Sequence, residues 1–431
     1  MNLFAERNNR IDTENAFKVG PHIVRVEQNK GSVIKLNLGE PDFSVPSHIK
    51  EEIKRQLDLD NTHYCDPKGL LSLRKAISHQ INETRNLNTN PEQVVVFPGG
   101  KPSIGLAQQV YCEPGDEVIY PSPGFPIYES FIRYVRAVPV PIHLKEESNF
   151  TFSPEELEKL ITPKTKIIYL NFPSNPTGGV ASQKLLEDTA RVILERCQHN
   201  VRIYSDEIYE NIIFDGNKHI SISSIPSISD RTIISSGFSK TFAWTGGRIG
   251  YAVFPTVEEA DYFKTLNINY FSCIPPYNQE AAREALENPL SKEVVQKMVD
   301  TFEDRRNIIW QKLNDIDGIT CQKPGGAFYL FPNISGVCQK LDLIEKHDKL
   351  QKNQQSSPAN LFQMFALYEH QVAVMDRKSF GQIGSDGKHF LRLSIAAETS
   401  VLEEGVIRLK NATEDLPGLD KFLRERPDLI T

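Results

Sequence analysis

Ser235-Ser236-Gly237-Phe238-Ser239-Lys240-Thr241-Phe242 and the run behind it, Ala243-Trp244-Thr245-Gly246-Gly247-Arg248-Ile249-Gly250-Tyr251, decide how this chain reads. One lysine sits among small and hydroxyl residues. An apolar run, Thr232–Ser236, leads into it, and Arg248 follows eight positions later, before a second such run, Ile249–Phe254. A lysine in such surroundings can be desolvated, and desolvation lowers an amine's pKa. An amine that is neutral part of the time can attack an aldehyde and form a Schiff base. The Ser236 and Ser239 hydroxyls and Arg248 are the groups a phosphate needs nearby. A lone Ser-Lys pair is most often a surface loop, so the surroundings must decide.

Working outward, short apolar runs alternate with helical stretches. Val94–Phe97, Glu117–Tyr120, Lys166–Leu170, Val201–Ser205, Thr232–Ser236 and Ile249–Phe254 read as strands. Helices are expected over 48–59, 70–86, 102–112, 181–198 and 278–288. This alternation predicts an α/β fold with a doubly wound, mostly parallel sheet, whose ligands bind at the carboxyl ends of the strands. After Pro289 the texture changes to a long amphipathic helix over 291–314 and strands at Ala327–Phe331, Gln371–Met375 and Phe390–Ser394, an α+β pattern. The polar stretch 339–360 reads as a helix end and an exposed loop, and residues 1–35 suggest only a short helix over 12–18.

The 431 residues suit two domains. A net charge of −7 without a basic stripe argues against nucleic acid, and no apolar run approaches a membrane span. Six scattered cysteines without a Cys-x-x-Cys pair suggest reduced thiols in the cytoplasm rather than a metal site.

Gly237–Ala243 and Thr245–Tyr251 resemble the cofactor-lysine signature of class I/II aminotransferases, pyridoxal-5′-phosphate (PLP) enzymes of fold type I. The chain departs from the usual pattern at Gly247, where relatives carry tryptophan. The resemblance runs from about Asn37 to Ala396, with further motifs in the family's order. It implies a large domain over 48–290 and a small domain from 1–47 and 291–431.

Each remaining motif fills one need of that cofactor. Phe97-Pro98-Gly99-Gly100-Lys101-Pro102-Ser103 joins a strand to a helix, which suits a phosphate. A P-loop is excluded because Val95 and Pro102 stand where Gly and Ser/Thr are required. The resemblance points to the Gly100 and Lys101 amides, with Arg248 and Ser239, as the phosphate contacts. Phe125, in Pro121–Tyr128, matches the ring-stacking aromatic. Asp206, ending the apolar run Val201–Ser205, matches the acid that holds the ring nitrogen's proton. Tyr209 and Asn175 match the partners of the ring hydroxyl. Tyr64, in Tyr64-Cys65-Asp66-Pro67-Lys68-Gly69, matches a tyrosine that reaches the neighbouring subunit's cofactor, which implies a homodimer.

For substrate, Arg392 lies inside the apolar run Phe390–Ala396, where a guanidinium can grip an α-carboxylate bidentately. Gly39, in Asn37–Phe43, resembles the family's N-terminal substrate loop. Lys101 resembles a lysine that contacts the distal carboxylate of dicarboxylic substrates in one branch of aspartate aminotransferases; a solvent-facing lysine is the plainer alternative. Asp376-Arg377 replaces the usual Pro-Gly before Phe380-Gly381, so that loop is expected to be reshaped. The reaction implied is ping-pong transfer of an amino group from an L-amino acid to a 2-oxo acid. Lys240 holds the cofactor and then shuttles the proton, with Asp206 and Tyr209 beside it. A carbon–sulfur β-lyase, a decarboxylase or an oxidase-like PLP enzyme would share these motifs. A PLP-binding regulatory protein would not need all of them.

Overall fold

The structure is a computed structural model that describes residues 3–12, 14–350, 356–381 and 387–426. A short strand β1 (Ile34–Lys35) precedes the main sheet. That sheet contains β2 (Val94–Phe97), β3 (Glu117–Ser122), β4 (Val138–His143), β5 (Thr165–Asn171), β6 (Arg202–Asp206), β7 (Thr232–Gly237) and β8 (Gly250–Val253). Their spatial order is β2-β8-β7-β6-β5-β3-β4. The β7, β6, β5, β3 and β4 pairings are parallel, and β8 runs antiparallel to both its neighbours.

The central strands are buried on both faces, as a sheet covered by helices requires. Along β5 and β6 the alternation is strict: Ile168, Leu170 and Ile203 enter one core, while Ile167, Tyr169 and Tyr204 enter the other. One face is covered by helix Gln183–Arg196, started by Ser182, whose hydroxyl accepts the Leu185 N–H at 3.2 Å. The opposite face packs helices Lys101–Tyr111, Ile127–Tyr134 and Val257–Phe271. Helices Leu71–Arg85 and Pro276–Glu287 pack on the β2–β8–β7 side.

The chain's two ends meet. β1 pairs in parallel with β10 (Val372–Ala373), and β12 (Leu391–Ser394) lies between β11 (Met375–Asp376) and β9 (Tyr329–Leu330). The 25-residue helix Leu290–Asn314 runs beside them. From it, Arg305 grips Asp42 with two bonds of 2.8 and 2.9 Å and lies over the Phe43 ring, which fixes the Asn37–Phe43 loop.

Some elements differ from expectation. β4 went unanticipated because Val138-Pro139-Val140-Pro141 reads as a breaker; as an edge strand it tolerates both prolines. The N-terminal region forms not only helix Asn15–Lys18 but also Gly20–Lys30, which buries Ile23 and Val26. In the 339–360 stretch, helix Ser335–Lys340 is followed by helix Leu343–Leu350, anchored by buried Leu343 and His347; residues 351–355 lie outside the described residues.

Candidate active site

The carboxyl ends of the parallel strands open onto one cavity of about 480 Å³, whose walls also come from both chain ends. Gly100 and Lys101 follow β2, Phe125 follows β3, Asn175 follows β5, Asp206 ends β6 and Ser239 and Lys240 follow β7. Tyr209, Arg248, Gly39 and Arg392 complete the lining among the residues singled out in the sequence. Tyr64 is not in this cavity: it is 88% exposed on the single chain.

Lys240 is the pivot. Its Nζ donates to the Gly39 carbonyl at 2.5 Å and lies 5.8 Å from the centre of the Phe328 ring. Burial lowers the amine to about 8, against opposing attraction from Glu40. Gly39 can approach only because it lacks a side chain: a Cβ there would lie 2.0 Å from the Tyr329 hydroxyl.

Asp206 takes a 2.6 Å bond from the Tyr128 hydroxyl, and no cation pairs with it among the described residues. Burial raises its carboxyl to about 6, against that bond. Tyr128 stacks on Tyr169, whose hydroxyl donates to the Ile104 carbonyl at 3.0 Å, so the ring is held from behind. Asn171 donates to the Asp206 carbonyl at 3.0 Å and accepts the Asn175 N–H at 3.0 Å, tying the ends of β5 and β6 together. The Tyr209 hydroxyl shares a 2.7 Å bond with that of Tyr329. Tyr128, Asn171 and Tyr329 escaped the sequence reading; Tyr128 stood inside a quoted motif, but nothing local marked its partner.

At the opposite corner, Arg248 has φ +52° and donates to the Thr245 and Pro98 carbonyls at 2.8 and 3.1 Å. A Cβ on Gly99 would meet its guanidinium at 2.2 Å, whereas one on Gly100 would meet nothing within 4 Å. Ser239 lines the same cavity. Ser236 does not: its hydroxyl donates to Glu210 Oε1 at 2.7 Å, behind the sheet, which removes it from the phosphate candidates. The Gly247 departure is also explained. The Trp244 indole fills the adjoining space, and a Cβ at 247 would lie 2.2 Å from it.

Arg392 is buried and donates to the Asn175 side-chain oxygen at 3.0 Å and the Asn37 carbonyl at 2.5 Å. Its guanidinium lies 4.5 and 4.6 Å from the centres of the Tyr329 and Phe380 rings, and no carboxylate pairs with it among the described residues. The Met375–Gly381 loop beside it is held by Asp376, which accepts from Ser379 at 2.5 Å, and by buried Arg377, which donates to Ser122 at 2.8 Å and to the Gly381 carbonyl at 2.5 Å. Lys101 is bonded to Glu14, a cavity residue that the sequence did not single out.

Comparison with known proteins agrees with this geometry. The family described as aminotransferase class I and II matches residues 31–409. Aromatic-amino-acid aminotransferase 2 of Thermococcus litoralis is 35% identical over 89% of this chain and 92% of its own. The aspartate aminotransferase of Pyrococcus abyssi is 33% identical over 95% and 98%. The crystal structure of the aspartate aminotransferase from Rhizobium meliloti superposes with a TM-score of 0.85 at 29% identity, covering 96% of this chain and 99% of that one.

A desolvated lysine, a buried acid and a glycine-lined corner with an arginine, on the carboxyl edge of this sheet, define a fold type I PLP enzyme. The chain belongs to the class I and II aminotransferases, and it is a PLP-dependent transaminase. The residues fit that cofactor: Gly100 leaves open space in the cavity that Arg248 also lines, and the raised carboxyl of Asp206 suits an acid that must share a proton with a ring nitrogen.

Proposed function

We propose that the cavity transfers amino groups between L-amino acids and 2-oxo acids, with dicarboxylic and aromatic side chains both accepted. The observation that carries this reading is that Lys240, Asp206 and Arg392 line one cavity, none of them ion-paired among the described residues. When bound, PLP supplies an aldehyde carbon for the substrate amine and a ring that takes up electrons. Lys240 Nζ is neutral in a useful fraction near neutral pH and takes and returns the proton at the substrate Cα. Asp206 holds the proton at the ring nitrogen, and Tyr128 keeps its carboxyl aimed. Tyr209 and Asn175 hold the ring hydroxyl, and Phe125 covers a ring face. The Gly100 and Lys101 amides, Ser239 and Arg248 hold the phosphate. Arg392 grips the α-carboxylate in exchange for two neutral acceptors, so its full charge is available to the substrate. Gly39 lets the loop close over that carboxylate.

The division into a large domain at 48–290 and a small one from 1–47 and 291–431 gives this site walls from both. Exposed Tyr64 reaches the cofactor of a second copy, so the working unit is a homodimer. A cytoplasmic location suits its six free cysteines. No described helix is long and apolar enough to cross a membrane, and no described cluster could hold a metal.

Substrate breadth rests on Lys101, at the end of the cavity that also holds Phe17 and Phe125. Relatives are named for aspartate and for aromatic amino acids, and a Thermus thermophilus aspartate aminotransferase has been solved with maleate, a dicarboxylate. Lys101→Met should lower kcat/KM for aspartate by roughly tenfold or more while changing that for phenylalanine little. Equal losses would assign Lys101 to the cofactor, and no loss would return it to the surface.

A further inference from the structure

The partner of Lys101 is the unexpected feature of the cavity. Its Nζ bonds Glu14 Oε1, and both side chains line the same space as Lys240 and Arg392. Glu14 lies 87 positions away, just before the four-residue helix Asn15–Lys18. Among the described residues, several contacts hold that segment over the cavity, the Lys18–Asp12 ion pair at 2.8 Å among them. The Asp12 N–H and carbonyl both bond the Ser130 hydroxyl at 2.9 Å, and Asn15 donates to Ser379 at 3.2 Å. The rings of Phe17 and Phe125 flank the Lys101 ammonium at 5.6 and 5.7 Å. The charge of Glu14 also reaches Lys240 and Arg392, raising the pKa of each against the effect of burial.

A cation free to read a distal carboxylate would stand open to the cavity. Here a carboxylate of the chain itself already occupies it. We propose that Glu14 is a displaceable internal counter-ion that competes with the substrate's distal carboxylate for Lys101 and so sets the balance between dicarboxylic and uncharged side chains. With an aromatic or aliphatic side chain bound, Glu14 keeps Lys101 neutralised between Phe17 and Phe125, and the cavity end is effectively apolar. With a dicarboxylic substrate bound, the substrate's carboxylate replaces Glu14, and the freed Glu14 carboxylate turns toward water. A single site can then accept both classes, with weaker binding of the acidic one. The inference rests on the reading of Lys101 above and adds its regulator.

The test uses the holoenzyme and two inhibitors without an amine: succinate, a dicarboxylate, and 3-phenylpropanoate, a monocarboxylate, each titrated calorimetrically. Glu14→Gln keeps the shape and removes the charge. It should tighten succinate by roughly three- to tenfold and leave 3-phenylpropanoate within about twofold, which also reports an intact site. In a Lys101→Met background the same change should give no gain. Unchanged or weaker succinate binding in Glu14→Gln, with Lys101→Met alone still selectively weakening succinate, would overturn the role of Glu14 and leave the reading of Lys101 standing. If Lys101→Met alone does not weaken succinate, the reading of Lys101 falls and this inference falls with it.

Discussion

Asp206 and Glu207 follow one another at the end of β6, and both are buried. Asp206 faces the cavity with one hydroxyl and a backbone N–H for company, and burial lifts its carboxyl to about 6. Glu207 turns behind the sheet. Arg85 donates to it at 2.7 and 3.2 Å, His219 bonds it at 2.9 Å, and Ser205 and Ser221 donate at 2.7 and 2.5 Å. Burial pushes Glu207 upward too, but Arg85 and His219 outweigh it and hold the carboxyl well below its ordinary range. The arginines repeat the contrast: Arg85 binds both Glu207 and Glu210, whereas Arg392 has neutral acceptors only. Behind the strand ends, charge is matched within the chain. In front of them Lys101 is matched by Glu14, but Lys240, Asp206 and Arg392 have no ion-pair partner among the described residues; on the proposed function their partners are a cofactor and a substrate.

The contrast is broken most severely from behind. Arg85→Leu removes the guanidinium shared by buried Glu207 and by Glu210, leaving Glu207 with His219 and two serines and Glu210 with Ser236, and should destabilise the protein by about 3–5 kcal/mol in denaturant unfolding. A loss below about 1 kcal/mol would mean that the network is not a structural element. In front, the next largest effect is functional. Arg392→Leu should raise KM for every amino donor alike, at a cost of about 2–5 kcal/mol in kcat/KM, with little loss of stability. An effect confined to acidic donors would move Arg392 to a side-chain role.

Asp206→Asn sharpens the comparison through pH. The folded carboxyl titrates near 6 and an ordinary aspartate near 3.8, so between those values the folded state holds the extra proton. Stability of the cofactor-free protein therefore falls as pH rises through this window, by roughly 3 kcal/mol once it is passed. Asn carries no such penalty. The variant should be more stable than the parent at pH 7, nearly equal to it at pH 4, and much slower in turnover. Parallel stability curves for the two proteins would show that Asp206 is not strained by burial.

How much of this was legible in the sequence follows the same division. Lys240, Asp206, Asn175 and Arg392 each stand within or just after a strand in a short run, and the resemblance of those runs to the family's motifs singled them out. Their supports did not announce themselves. Tyr128 reaches Asp206 across 78 positions, Tyr329 reaches Tyr209 across 120, and Glu14 reaches Lys101 across 87. Such pairings arise only once the sheet is wound. Ser236 failed for a related reason: in a strand, alternate side chains face opposite sides, and its hydroxyl points to Glu210. β4 was lost because its prolines carry a local signal that only edge position neutralises.

The central claim is that one lysine, desolvated in front of the sheet, carries the cofactor. Reducing the PLP-loaded protein with sodium borohydride and mapping the labelled peptide by mass spectrometry tests it directly. The pyridoxyl group should be found on Lys240, in the peptide containing Gly237-Phe238-Ser239. Stoichiometric label on any other lysine, with Lys240 unmodified, would contradict it.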